Sequence, residues 1–159
     1  MFPNPRTNFG VAALLVSLTL FSCNNDVTLC ESSSQSLLGV GFEQVLNGSA
    51  TDTLLPAVVI YGTGHPDRLY NGIPNTTVSL SLDQNQDSTS YYINPDSTGG
   101  GDTVLIRYSR KLHLVSPACG FVTFFHIDTI LATRHHIDSI AIQTRDINTT
   151  YVENILLFY

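Results

Sequence analysis

The residues best suited by type and spacing to do chemistry are two related segments, His126-Ile127-Asp128-Thr129-Ile130 and His136-Ile137-Asp138-Ser139-Ile140, ten positions apart. In a strand, positions i and i+2 share a face, so His126 would stand beside Asp128 and His136 beside Asp138. If the two strands paired, two imidazoles and two carboxylates could converge near His135, a ligand set that suits zinc or another divalent ion. The plainer reading is a hairpin with polar residues on its solvent face, because repetition alone does not set a register. These four residues are therefore expected to be structural, and metal binding is the alternative.

Other candidates are weaker. Gly62-Thr63-Gly64-His65-Pro66-Asp67 has phosphate-loop glycines but neither the Lys-Ser/Thr pair nor a following helix, so it reads as a turn with His65 and Asp67 in solvent. Tyr61, Tyr70, Tyr91 and Tyr92 could form a platform for a glycan, but tyrosine is equally an ordinary strand residue and packing is preferred. No serine is marked as an activated nucleophile. No catalytic residue or cofactor is assigned.

One pattern exceeds chance. Six of the ten Asp residues precede Ser or Thr, and a Leu, Thr, Val or Ile follows each time: the second positions are Thr53, Ser88, Ser97, Thr103, Thr129 and Ser139. The triplets are similar to the O-glycosylation acceptor pattern of Bacteroidetes envelope proteins. The competing reading is the grammar of strand beginnings, in which Asp caps a turn and a β-branched residue starts the strand. Ser88 and Ser97, expected in polar connections, are the leading acceptors, with Thr53 and Thr103 behind them. Thr129 and Ser139 are expected inside strands.

These residues need a scaffold, and the sequence describes one. The 159 residues suffice for a single domain, 43% hydrophobic and 13% charged, with no Trp. The net charge is −6, and one unit more negative once Arg6 is removed. Only Arg107, Arg110 and Lys111 cluster among the basic residues, too few for a phosphate-tracking stripe, so nucleic acid is not expected as a partner.

Phe9 to Phe21 is a 13-residue apolar run after Arg6. As a helix it would rise roughly 20 Å, short of the ~30 Å hydrocarbon core, so it suits a secretory signal better than a permanent span. Its ending, Leu20-Phe21-Ser22-Cys23, resembles the bacterial lipobox, which implies cleavage after Ser22 and lipidation of Cys23. Two or more acyl chains make a stable anchor. Asn24 is not the Asp of inner-membrane retention, and Asn24-Asn25-Asp26 lacks an acidic surface-export run. An outer-membrane position facing the periplasm is expected.

With Cys23 lipidated, Cys30 and Cys119 remain, 89 positions apart. In an oxidising envelope an even remainder reads as a disulfide, for which the chain-entropy model assigns roughly 4–5 kcal/mol.

Beyond the signal, short apolar or alternating runs are separated by turn residues. Leu37 to Val45 carries Gly39 and Gly41, the mark of a bulge or a close backbone approach. Asn47-Gly48 is a turn, Ala57 to Tyr61 a buried run, and Gly62 to Pro74 a breaker-rich stretch. Val78, Leu80 and Leu82 alternate with Thr77, Ser79 and Ser81. Thr103 to Val115 reads as one long strand or two, followed by Gly120 to Leu131, Ile137 to Ile142 and Ile155 to Tyr159. About eight strands and no helical period predict an all-β fold, a single β-sandwich of immunoglobulin-like or similar type. The expected organisation is a signal over 1–22, a lipidated Cys and tether over 23–36, and a sandwich over 37–159.

Val115-Ser116-Pro117-Ala118-Cys119-Gly120-Phe121, the later Ile137-Asp138-Ser139-Ile140 and the ending Glu153-Asn154-Ile155 carry a further likeness. Together with the lipobox and Cys30, this text resembles an uncharacterised family of small Bacteroidetes-type lipoproteins, a domain of unknown function. The resemblance implies compartment and architecture but no catalytic residues. The sequence thus points to a membrane-anchored, non-catalytic binding or accessory module, with an envelope protein or a glycan as partner.

Overall fold

The computed structural model describes residues 35–159, apart from Pro66 and Ala118. The expected signal, Cys23 and most of the tether lie outside them. The described residues form eleven strands and no helix. In chain order these are β1 Leu37–Leu46, β2 Ser49–Asp52, β3 Leu55–Gly62, β4 Arg68–Asn75, β5 Thr77–Ser81 and β6 Ser88–Asn94. The remainder are β7 Asp102–Ser116, β8 Gly120–Ala132, β9 Ser139–Ile142, β10 Asp146–Ile147 and β11 Glu153–Phe158.

Two sheets make a β-sandwich. One runs β2-β1-β11-β9, with β5 sharing the β2 edge of β1. The other runs β10-β8-β7-β6-β3-β4 and is antiparallel throughout. The period-2 alternation read from sequence builds the core. Leu38, Val40 and Phe42 of β1 and Val78 and Leu80 of β5 face Ile60, Ile93, Ile106, Tyr108 and Ile127 of the other sheet. Each such buried side chain contributes about 1.5–3 kcal/mol of transfer free energy.

β1 lies parallel to β11, with an irregularity between Gly39 and Val40. A Cβ on Gly39 would fall 2.1 Å from the Val152 carbonyl oxygen, so β11 approaches closer than any side chain permits. The buried Asn154 completes this junction: Gly39 N–H donates to its Oδ1 at 2.9 Å, and its Nδ2 donates to the Asp146 carbonyl at 3.1 Å. Asp146 belongs to β10, so one amide ties the two sheets together.

Two features differ from the sequence reading, and a third was left open by it. The strand count is eleven rather than about eight, because β2 and β10 are too short to leave a pattern. The breaker-rich stretch contains β4, an edge strand whose pairing with β3 shifts register three times. Gly72 and Pro74 are tolerated there because the outer edge of an edge strand needs no partner. Residues 102–116 form one strand, paired with β8 almost to the tip of a long hairpin.

Candidate functional site

The two His-Ile-Asp segments are not brought together. In β8, Ile127 is fully buried while His126 is exposed, its Nδ1 2.6 Å from Asp146 Oδ1 on the neighbouring β10. Asp128 lies at a bulge, because Arg107 pairs with Thr129 and Tyr108 with Ile127. The second segment leaves that sheet. His136 is in the connection after β8, Asp138 donates its N–H to the Phe158 carbonyl, and β9 pairs with β11. Among the described residues no three His, Cys, Asp or Glu side chains are placed to share a metal ion.

The residue that organises the second segment is Asp102, which sequence reasoning treated only as the neighbour of Thr103. Its carboxylate is wholly buried. Oδ1 accepts from the His135 N–H at 2.8 Å and the Thr133 hydroxyl at 2.7 Å. Oδ2 accepts from the N–H groups of His136 at 2.7 Å and Ile137 at 2.9 Å. Burial pushes this carboxyl up, but the hydrogen bonds together outweigh burial and hold it well below the carboxylate range. The adjacent Gly101 lets the chain pass the Ile93 carbonyl, where a Cβ would sit at 2.3 Å.

The other Asp-Ser/Thr pairs show similar structural use. Asp87, just before β6, binds Arg110 at 2.6 Å. Asp96 accepts the Thr98 N–H at 2.9 Å around Ser97, whose φ is +59°. Ser88 and Ser97 are exposed, whereas Thr53 and Thr103 are half-buried. Ser88 is the first residue of β6 rather than part of a loop, and it pairs with Arg107. Thr129 and Ser139 lie in strands as expected, yet both are exposed.

Cys119 occupies the turn of the β7–β8 hairpin, its N–H donating to Ser116 Oγ at 3.0 Å, and its sulfur is disulfide-bonded. Cys30, the partner expected from sequence, and Cys23 lie outside the described residues.

A further concave site lies elsewhere. A cleft of about 440 Å³ opens where the end of β3, the loop after β5 and the start of β6 meet. Hydroxyls line it, and Tyr108, which lies outside the lining, holds two of the lining residues in place. Thr89 Oγ1 lies 2.6 Å from Tyr108 Oη and accepts the Asp83 N–H at 3.0 Å. Tyr108 Oη donates to the Asp83 carbonyl at 2.9 Å, and Tyr91 Oη donates to the Ser81 carbonyl. On the opposite wall, Thr63 donates its N–H to the Ser90 carbonyl and its hydroxyl to Ser90 Oγ at 3.1 Å. His65, Asp67 and Leu69 form an exposed rim.

Burial, with Tyr108 and Asp83 nearby, pushes the Tyr91 phenol up to about 12, and burial also raises Tyr108. Both phenols therefore remain protonated donors at neutral pH and cannot serve as bases. Among the described residues, the hydroxyls of Thr63, Thr89 and Ser90 bond to one another, to Tyr108 or to backbone, and none is hydrogen-bonded to His65. The cleft offers hydrogen-bonding groups to a polar ligand. The sequence singled out Gly62 to Asp67 and Tyr91 separately but not their meeting, because the parts come from separated segments.

A family model described as a family of unknown function (DUF6452) matches residues 57–159. No curated protein and no solved structure matches the chain.

Proposed function

The chain belongs to DUF6452, a family of unknown function, and on that footing we propose that it is a lipid-anchored envelope protein whose sandwich binds a partner without transforming it. The observation that carries the binding half is the cleft. The hydroxyls of Thr63, Thr89 and Ser90 are held by hydrogen bonds, and the Tyr91 phenol is kept protonated. Such a surface offers preset donors and acceptors to a neutral polar ligand, a glycan or a peptide backbone of the envelope. The anchoring half rests on the lipobox text Leu20-Phe21-Ser22-Cys23 after its 13-residue apolar run, and Asn24 with no acidic run after it supports an outer-membrane position facing the periplasm.

Two measurements test the two halves. Metabolic labelling with a fatty acid should mark the wild-type chain and not Cys23→Ala; label on the variant would refute the anchor. Calorimetric titration with neutral envelope oligosaccharides and peptides should show saturable binding that Ser90→Trp, which fills the cleft, abolishes. Conversion of a bound compound to product would replace the binding reading with an enzymatic one.

A further inference from the structure

We propose that the outer end of the β7–β8 hairpin is a membrane-contacting arm that enters the headgroup–acyl boundary of the bilayer holding Cys23. The inference rests on the lipid-anchor reading and adds the surface that the anchored domain turns towards the membrane. Cross-strand pairs share a face, and the register sets Leu114 opposite Phe121 and Leu112 opposite Thr123. Closer to the sandwich, the same face carries Tyr108 paired with Ile127, both buried in the core. Near the hairpin tip this face is open: Leu112 is 64% exposed, Leu114 50% and Phe121 64%, whereas Val122 on the other face is buried. Three large apolar side chains exposed on one face require an explanation.

Charge and tethering point to a lipid surface. Next to the apolar end β7 carries Arg110, on the face of Leu112 and Leu114, and Lys111, on the opposite face. Arg110 is committed to Asp87, while Lys111 is exposed. In an otherwise acidic protein Lys111 suits anionic headgroups. Lys111 and Leu114 are three residues apart, about 10 Å along a strand, which matches the ~5–10 Å depth of interfacial insertion. Cys119, at the tip, is disulfide-bonded. The Cys30–Cys119 pairing expected from sequence would set the tip seven residues from the lipidated Cys23, at most about 25 Å, and so hold the arm within reach of the bilayer.

The chain has no Trp, so Phe121→Trp gives a single reporter. The full acylated protein carrying it is reconstituted in phosphatidylethanolamine–phosphatidylglycerol vesicles with lipids brominated on the acyl chains. Leu69→Trp, on exposed Leu69 of edge strand β4, is the reference, and Leu114→Trp is a second arm position. The arm reporters should be blue-shifted and quenched at least about twofold more strongly than the reference. Quenching no greater than that of Leu69→Trp overturns the proposal. A blue shift without quenching does so too, since protein, either a second copy or residues 24–34, would then cover the arm. Fatty-acid labelling is scored in parallel. Label without quenching removes the arm and leaves the anchor, whereas quenching without label does the reverse.

Discussion

Replacing Asp102 with Asn should be far more damaging than the loss of one charge suggests. The carboxylate accepts the backbone N–H groups of His135, His136 and Ile137 and the Thr133 hydroxyl, and both oxygens are used. Asparagine keeps one acceptor oxygen and turns the other into an NH₂ donor facing groups that are themselves donors. At least two hydrogen bonds to a charged acceptor are lost, at ~1.5–3 kcal/mol each, so the expected cost is about 3–6 kcal/mol. That is a large part of the roughly 5–15 kcal/mol that holds a typical domain. Urea unfolding of soluble protein beginning at Asn24, at pH 7, measures it. The pH dependence is a second arm of the test. Because the folded carboxyl lies below its unfolded value of ~3.9, its contribution is present above about pH 4 and is lost as pH falls towards the folded value. Asp102→Asn should therefore show a shallower acid-side loss than wild type. A change below about 1 kcal/mol at pH 7 would show that the residues around Asp102 do not depend on it.

Gly39→Ala would place a methyl group 2.1 Å from the Val152 carbonyl oxygen, so β1 and β11 must separate; a cost above about 3 kcal/mol is expected by thermal unfolding. Glu43 is buried opposite Asp52, and burial, then Asp52, raises its carboxyl. The ionised form is thus disfavoured in the folded state, so Glu43→Gln should stabilise the protein at pH 7. The gain should shrink as pH falls below the raised value and wild type becomes protonated, which melting temperatures across pH 4–8 would show. Mass spectrometry of non-reduced, alkylated mature protein should find a Cys30–Cys119 bond, and free sulfurs at both would refute that pairing. Protein from its native host should exceed its polypeptide-plus-lipid mass, with the excess largely removed by Ser88→Ala and Ser97→Ala together; an intact mass without excess would leave Asp-Ser/Thr as strand-start grammar alone.

The all-β class was legible because one-sided burial writes itself as alternation, as in Val78, Leu80 and Leu82, all buried. Asn47-Gly48 also announced its hairpin, with φ of +53° and +81°. Gly39 was flagged for a bulge or a close approach, and both occur there. What local text could not carry was position in space. The ten-residue echo at His126 and His136 suggested one hairpin, but β8 and β9 belong to different sheets. Asp102 looked like one more Asp before Thr, because the N–H groups that define its role come from residues more than thirty positions later. The cleft shares that obscurity: Thr63, Asp83 and Ser90 meet only through tertiary pairing.

The junction of β1 with β11 has a consequence for how the chain comes into being. Gly39 and Asn154 are 115 positions apart, yet they are hydrogen-bonded neighbours, so the first strand has no full seat until the last one arrives. A topology dominated by such distant pairings pays its loop-closure entropy before the contacts form, and folds slowly. Until β11 emerges, β1 has a bare edge, and Leu38, Val40 and Phe42 lack the side chains that enclose them. In that interval the chain is open to chaperone capture or to pairing with another copy, and slow delivery of its last twenty or so residues lengthens the exposure.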